Sequence, residues 1–188
     1  MQIRWYKKRI TAVSIAAIVL YFIFRSQEHS AIFKIIIRDT KPADVWEYVA
    51  DFSNMKKLNP TIVDFSILTE SGNYDHWKYS AEYKEFLPHA PFIHHSTHAE
   101  FEVRQDGESY IINSNHSTCF FKGVACFPAT SEFMFSKLGP NTLCVERVTY
   151  KCPFLFARMC QKDVDYQRSS VMRNLEKQFT VKKKVKKS

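Results

Sequence analysis

The feature that most constrains the fold is a change of hydrophobic period along the chain. From Thr61 to Lys151, apolar and polar residues alternate with a period of two, in runs separated by turn sequences such as Asp106-Gly107. From Phe154 to Phe179 the period becomes that of an amphipathic helix. Its apolar stripe consists of Phe156, Cys160, Val164, Val171, Leu175 and Phe179. A series of antiparallel strands followed by one long helix predicts an α+β domain whose curved sheet packs around that stripe.

The alternation also assigns a face to each side chain of the central strands. The inward positions that we predict are Val63, Phe65 and Ile67 on one strand, Trp77, Tyr79, Ala81 and Tyr83 on the next, and Ile93, His95, Thr97, Ala99, Phe101 and Val103 on a third. These positions are rich in rings, and 15% of all residues are aromatic. Such a face forms either a bulky core or an apolar pocket lined by rings.

The segment before these strands predicts a first strand at Ala31–Arg38 and a helix that begins near Pro42. The stretch from Asp39 to Phe52, together with Lys57-Leu58-Asn59-Pro60, resembles the opening of the polyketide cyclase/dehydrase and lipid-transport superfamily. This is the START-like, or SRPBCC, group, which includes coenzyme Q-binding proteins. The similarity extends from about Ile32 to Phe179 and implies a helix-grip fold with a deep cavity between the sheet and the C-terminal helix.

The resemblance makes ten residues candidates for a ligand cavity, because each lies on a predicted inward face. They are Phe65, Trp77, Tyr79, Tyr83, His95, Phe101, Tyr110, Phe133, Val164 and Val171. The alternative is a solid core, filled by these same rings. Tyr and His tips among apolar neighbours suit a pocket that orients a polar head group, so we predict binding of a lipid or another hydrophobic molecule.

Catalysis is a second hypothesis, and a protein-binding scaffold with a filled core is a third. The sequence contains no Gly-x-Ser-x-Gly motif and no Gly-rich phosphate loop, so we assign no catalytic residue; His95 or Tyr83 would act as acid or base in the enzyme hypothesis. His94 and His98 lie about 13 Å apart on a strand, too far for one ion. We therefore predict no metal and no cofactor.

The N-terminal segment carries fifteen uncharged residues, Ile10 to Phe24, behind a basic cluster. An apolar helix of this length measures roughly 22 Å against a hydrocarbon core of ~30 Å. We predict a basic flank at 1–9, a transmembrane anchor at 10–24, a linker at 25–31, the START-like domain at 32–180 and a lysine-rich tail at 181–188. A cleaved signal, a mitochondrial presequence and a surface helix are the alternatives.

The net charge of +8 does not indicate nucleic-acid binding, because it is concentrated at the two ends. Ten of the 27 basic residues lie in 1–25 and 181–188, which leaves 17 against 19 acidic residues in the body. A protein that binds a phosphate backbone carries its basic patch on the folded domain. We therefore expect a membrane and a hydrophobic ligand as partners and no nucleic acid.

The sequence gives conflicting indications of the side of the membrane. The positive-inside rule and the glycosylation sequon at Asn115 favour a lumenal body. Lys184 and Lys186 resemble a dilysine retrieval signal, which is read in the cytosol. We expect a single-pass protein of the endoplasmic reticulum or another endomembrane, with a mitochondrial membrane as the alternative, and leave the side open.

The five cysteines leave the redox state open as well. In a lumen, Cys119 and Cys126 or Cys144 and Cys152 would pair. In the cytosol all five cysteines, including Cys160, would be buried thiols.

Overall fold

The computed structural model describes the backbone of residues 2–186 and the side chains of residues 9–180, except those at positions 12, 23 and 24. Within these residues the chain forms helices α1 (Gln2–Phe24), α2 (Pro42–Ala50), α3 (Phe52–Leu58) and α4 (Ala157–Lys186). The strands are β1 (Ser26–Ile37), β2 (Ile62–Asn73), β3 (His76–Leu87), β4 (Ala90–Asp106), β5 (Ser109–Phe120), β6 (Ala125–Leu138) and β7 (Asn141–Pro153). Single 3₁₀ turns lie at Phe121–Gly123 and Phe154–Phe156.

The seven strands form one antiparallel sheet in the order β1-β7-β6-β5-β4-β3-β2. Consecutive strands from β2 to β7 pair as hairpins, and β1 pairs with β7 along its whole length, from Ser26 opposite Pro153 to Ile37 opposite Thr142. The predicted antiparallel sheet and long C-terminal helix are confirmed.

The core lies between the inner face of the sheet, α2, α3 and the apolar stripe of α4. Val171 and Leu175 of α4 are almost completely buried, and so are Val45 and Trp46 of α2. The predicted alternation is confirmed on β3 and β4, whose inward side chains are buried. On β2 it holds for Phe65, which lies opposite Tyr83. A register shift between Ile62 and Asp64 makes Ile62 the buried residue and leaves Val63 46% exposed. Ile67 lies opposite the inward Ala81 but is 44% exposed, because β2 is the edge strand of the sheet.

A tightly packed aromatic group fills one end of the sheet. Trp46 is fully buried, and its indole N–H donates to the carbonyl of Ile111 at 3.3 Å. The rings of Trp77 and Tyr110 lie 5.1 and 5.0 Å from the Trp46 ring, centroid to centroid. Trp46 is therefore a packing centre of the core, with its polar atom satisfied.

Helix α3 is held by polar contacts at both of its ends. The Asp51 carboxylate caps it by accepting from the Ser53 N–H at 3.0 Å. At its other end, the Asn174 side-chain amide of α4 donates to the Leu58 carbonyl at 2.9 Å. Helix α3 is seven residues long, and Asn174 provides its side-chain hydrogen bond to α4.

The predicted boundaries at the N-terminus need correction. The linker expected at 25–31 is wrong from Ser26 onward, because β7 is long enough to pair with residues 26–31 as well. Helix α1 also extends back into the predicted basic flank, to Gln2. In the part of the chain that the structure describes, no helix is both long and apolar enough to cross a bilayer. The side chains of Lys184 and Lys186 lie outside the described residues.

Candidate functional site

A small cavity lies between the inner face of the sheet and helices α2, α3 and α4. Its free volume is about 40 Å³, which is room for a few water molecules. The walls are formed by Val49, Phe52, Met55, Asn59, Ile62, Tyr79, Tyr83, Phe101, Ile112, Ser114, His116, Ser131, Phe133, Glu146 and Arg168.

Apolar side chains and rings form one side of this cavity. Phe52 of α3 lies with its ring 5.5 Å from that of Phe101 and 5.2 Å from that of Tyr83. Tyr79 stacks on Phe101 at 4.6 Å, and its hydroxyl donates to the Ala50 carbonyl at 3.0 Å. Tyr79 therefore presents a ring face rather than a polar group to the cavity.

The opposite side carries a buried ion pair that joins β7 to α4. Arg168 donates through Nη1 to Glu146 Oε1 at 3.0 Å, and the Ser131 hydroxyl donates to the same oxygen at 2.9 Å. Burial alone would lower the pKa of Arg168, but the Glu146 carboxylate outweighs it, so that pKa lies above its ordinary value. Glu146 is only 2% exposed, and its second oxygen, Oε2, is buried without a hydrogen-bond partner.

A chain of neutral groups lies next to the ion pair. The Tyr83 hydroxyl lies 2.9 Å from His116 Nδ1, and His116 Nε2 lies 2.8 Å from the Ser114 hydroxyl. Burial, with the nearby charge of Arg168, lowers the pKa of His116 to about 3, so the imidazole is neutral. Burial also raises the pKa of Tyr83, which keeps its proton.

A neutral His116 satisfies this chain in either of its two tautomers. With the imidazole proton on Nε2, the Tyr83 hydroxyl donates to Nδ1 and the ring donates to Ser114; with the proton on Nδ1, the ring donates to the Tyr83 oxygen and the Ser114 hydroxyl donates to Nε2. The first tautomer leaves the Ser114 hydroxyl proton for a group inside the cavity, which Glu146 also lines.

A second buried carboxylate lies on β3, outside this chain. Glu85 Oε1 accepts from Asn59 and from Thr61, each at 2.9 Å, and Glu85 Oε2 lies 3.4 Å from His95 Nε2. Burial alone would raise the pKa of Glu85, but the contacts with His95 and Thr61 and the charge of Arg168 outweigh it and lower that pKa. The network fixes the turn after α3, and it explains why a carboxylate is tolerated on an inward face.

Of the ten predicted cavity residues, the structure brings four together at the cavity wall. These are Tyr79, Tyr83, Phe101 and Phe133. Binding of a ligand by any of the ten stays a prediction.

The other six residues share the inner side of the domain but lie away from the free volume. Trp77 and Tyr110 pack on Trp46, and Phe65 lies behind Phe52 with the two ring centroids 5.2 Å apart. His95 lies beneath Phe120, Val171 is part of the main core, and Val164 packs in a separate cluster with Val148, Tyr150 and Cys152. Alternation predicts which face of the sheet a side chain occupies, but it does not predict how far along the strand that side chain lies from the cavity.

The polar residues of the cavity were missed by the sequence analysis. They are Asn59, Ser114, His116, Ser131, Glu146 and Arg168. A signal for two of them exists: Glu146 falls on the inward series Cys144, Glu146, Val148 of β7, and Arg168 falls on the apolar stripe of α4, four residues after Val164. A charge at an inward position on each of two facing elements indicates a buried ion pair.

The remaining sequence predictions concern the outer surface and the cysteines. His94 and His98 are exposed, and the described residues include no group of three or more His, Cys, Asp or Glu that would hold a metal ion. Disulfides join Cys119 to Cys126 and Cys152 to Cys160. The alternative pair Cys144–Cys152 is therefore wrong, and Cys144 is a free, buried thiol.

Comparison with known proteins identifies the fold through structure alone. No protein-family model matches the sequence, and no curated protein sequence matches it. A START superfamily protein from Mycobacterium smegmatis is 16% identical and aligns over 81% of this chain and 97% of its own, with a TM-score of 0.59. The protein TTHA0849 from Thermus thermophilus is 15% identical and aligns over 82% of this chain and 98% of its own, with a TM-score of 0.58.

A third solved structure, the hypothetical protein jhp0584 from Helicobacter pylori, is 11% identical and aligns over 78% of this chain and 85% of its own, with a TM-score of 0.57. At these identities the similarity shows the fold and not the activity. Seven antiparallel strands in a curved sheet, with a long C-terminal helix against its inner face, give this chain a START-like helix-grip fold.

Proposed function

We propose that the chain binds a hydrophobic molecule that ends in a hydroxyl or another small hydrogen-bond donor. The observation that carries this proposal is Glu146 Oε2, a buried carboxylate oxygen at the cavity wall without a partner. Leaving such a group unsatisfied costs about 1–3 kcal/mol or more. A ligand hydroxyl would donate to this oxygen and accept from Ser114, while its apolar part packs among Phe52, Phe101 and Phe133.

The ligand needs more space than the present cavity provides. Ligand pockets usually enclose roughly 300–1,000 Å³, against about 40 Å³ here. The wall that yields is α3, which has one side-chain hydrogen bond to α4, from Asn174. Burying about ten methylene groups contributes roughly 8 kcal/mol, which is enough to offset displacement of a short helix.

The membrane is the second partner in this proposal. Helix α1 has exposed apolar side chains all around its C-terminal half, including Ile18, Leu20 and Phe22. Such a helix needs an apolar environment on every side. We infer that α1 is anchored in a bilayer of the endomembrane system. Its apolar run is shorter than an average hydrocarbon core, so this placement requires a locally thin bilayer.

An apolar edge of the domain supports the same placement. We define this edge by the exposed residues Phe92, Phe121, Val124, Phe154, Leu155, Phe156 and Met159. All of them lie at the end of the sheet at which β1 begins, because the start of β1 pairs with the end of β7 and the β5–β6 and β3–β4 turns lie at that same end. The Phe154 N–H donates to the Arg25 carbonyl at 3.2 Å, so this edge adjoins the end of α1. In this position the domain would exchange its ligand with the bilayer or carry it to a nearby membrane.

Catalysis in the same cavity is a weaker alternative. Ser114, His116 and Tyr83 have the order of a nucleophile, a base and an orienting group. A general base needs a pKa near the working pH, whereas burial lowers the pKa of His116 to about 3. His95 is remote from the cavity, and Tyr83 is held neutral, so neither suits the acid or base role.

The first prediction concerns occupancy of the cavity. The variant Val49→Phe places a larger side chain in the free volume of the cavity. Crosslinking of a diazirine-bearing hexadecanol to this variant, as the full chain in lipid vesicles, should therefore be about tenfold weaker than to the wild type. The crosslinked peptides of the cavity strands are quantified by mass spectrometry. The matched control is Val63→Phe, the same substitution at an exposed position of β2, which should retain wild-type labelling. Equal labelling of both variants would mean that the probe does not enter the cavity and would favour the filled-core scaffold.

The second prediction concerns the head group. In the wild type, Glu146 should repel a carboxylate, so the diazirine hexadecanol should label the cavity at least about tenfold better than the matching hexadecanoic acid. Glu146→Gln removes the negative charge and leaves Arg168 free to pair with the acid, so the preference should be lost or reversed. Glu132→Gln, which breaks the exposed pair with Arg147, is the control and should not change the preference.

A second variant distinguishes the loss of the charge at Glu146 from misfolding of the domain. Loss of one partner leaves a buried charge unpaired, so Glu146→Gln is destabilising. The double variant Glu146→Gln with Arg168→Gln removes both charges, so only the cost of burying the acid's carboxylate remains and the preference for hexadecanol should be clearly smaller than in the wild type. A preference as large as that of the wild type in this folded variant would contradict the assignment of Glu146.

The third prediction is a pH dependence of stability. In the folded state His116 stays neutral down to about pH 3, whereas in the unfolded chain it binds a proton below about pH 6.5. The unfolded state therefore holds more protons between these values, and stability falls as the pH falls through this window.

From pH 7 to pH 5 this one group should contribute roughly 2 kcal/mol of that loss. The free energy of unfolding of the wild type, measured with denaturant at both pH values, should decrease by that much more than that of His116→Gln. The lowered pKa of Glu85 acts below about pH 4.5 and does not overlap this range. Equal decreases in the two proteins would show that His116 is not held neutral.

A further inference from the structure

We propose that the domain is located in an oxidising, glycosylating compartment, the lumen of the secretory pathway, and carries an N-linked glycan on Asn115. The proposal rests on the cysteines and the outer face of the sheet. It is independent of the ligand proposed for the cavity.

The pairing of the cysteines is the first observation. Cys119 and Cys126 lie opposite each other across the β5–β6 hairpin, and Cys152 at the end of β7 is joined to Cys160 in the first turns of α4. Four of the five cysteines are thus bonded in two separate places. Disulfides persist in oxidising compartments and are rare in the cytosol, where thiols are kept reduced.

The fifth cysteine explains the odd count. Cys144 is completely buried on the inner face of β7, and burial raises its pKa to about 12. A protonated, inaccessible thiol does not exchange with disulfides. The odd number therefore does not require a bond to another chain.

The sequon at Asn115 is the second, independent observation. Asn115 and Ser117 are both exposed on the outer face of β5, while His116 between them turns inward to the cavity. A glycan on Asn115 would thus extend into solvent without contact with the binding site. Asn59-Pro60-Thr61 has the same spacing, but the proline excludes it as an acceptor and Asn59 is buried.

The charge around α1 agrees with this placement. Arg4, Lys7, Lys8 and Arg9 precede the apolar run, and Arg25 follows it. By the positive-inside rule this distribution keeps the N-terminus in the cytosol and transfers the body to the lumen. A lumenal body also places the tail with Lys184 and Lys186 where a dilysine signal is not read.

The test uses the full chain expressed in cultured animal cells. Digestion with a peptide N-glycosidase should increase the electrophoretic mobility of the wild type by the equivalent of one glycan, and Asn115→Gln and Ser117→Ala should abolish this shift. Two controls should retain it: Ser117→Thr, which preserves the sequon, and Asn113→Gln, which changes the neighbouring asparagine that has no sequon.

Thiol counting on the same protein completes the test. After denaturation without reductant, a polyethylene-glycol maleimide should add to one thiol, that of Cys144, and after reduction it should add to five. A wild-type band that is unaffected by the glycosidase overturns the Asn115 assignment. Five reactive thiols without reductant overturn the lumenal location.

Discussion

The ion pair between Glu146 and Arg168 is the interaction on which the rest of the site depends. It joins the inner face of β7 to α4 at the wall of the cavity. Two charges in such a place are costly unless each is paired and hydrogen-bonded. Arg168 donates to Glu146, and Glu146 accepts hydrogen bonds at one oxygen only. The pair therefore positions α4 and leaves one buried acceptor without a partner, which is the group that we propose a ligand would reach.

The cavity is lined by a neutral hydrogen-bonded chain and by a charged pair. The chain from Tyr83 through His116 to Ser114 stays uncharged because burial disfavours both the phenolate and the imidazolium. It lines the same cavity as the ion pair and the aromatic wall. The proposed recognition of a hydroxyl on a hydrophobic molecule rests on this combination, and the low pKa of His116 makes the imidazole a weak base for a hydrolytic serine.

Much of the fold was predictable from the sequence, because strand alternation and helix periodicity are local properties. The antiparallel sheet, α2 with Trp46 and the buried stripe of α4 follow from such patterns. The extension of β1 back to Ser26 could not be predicted in this way. Ser26-Gln27-Glu28 has no apolar pattern and forms a strand because it pairs with β7. The pairing partner is a long-range property that a local pattern does not contain.

The candidate site was predictable only in part, for a related reason. Alternation placed Tyr79, Tyr83 and Phe101 correctly on the inner face, but it also placed Trp77 and His95 there, at the two ends of the strands where other rings cover them. Depth in the domain is set by where α2 and α4 cross the sheet. The polar residues were overlooked because apolar residues alone were read as cavity-forming, whereas Glu146 and Arg168 give the cavity its chemistry.

Native mass spectrometry of the full chain, extracted from animal cells in a mild detergent and combined with lipid analysis, tests the central claim most directly. The account predicts one hydrophobic molecule with a hydroxyl or amide donor per chain, retained on the folded protein and lost on denaturation. A folded chain that carries no such molecule, and that releases none on denaturation, would contradict the account and indicate a core filled by its own side chains.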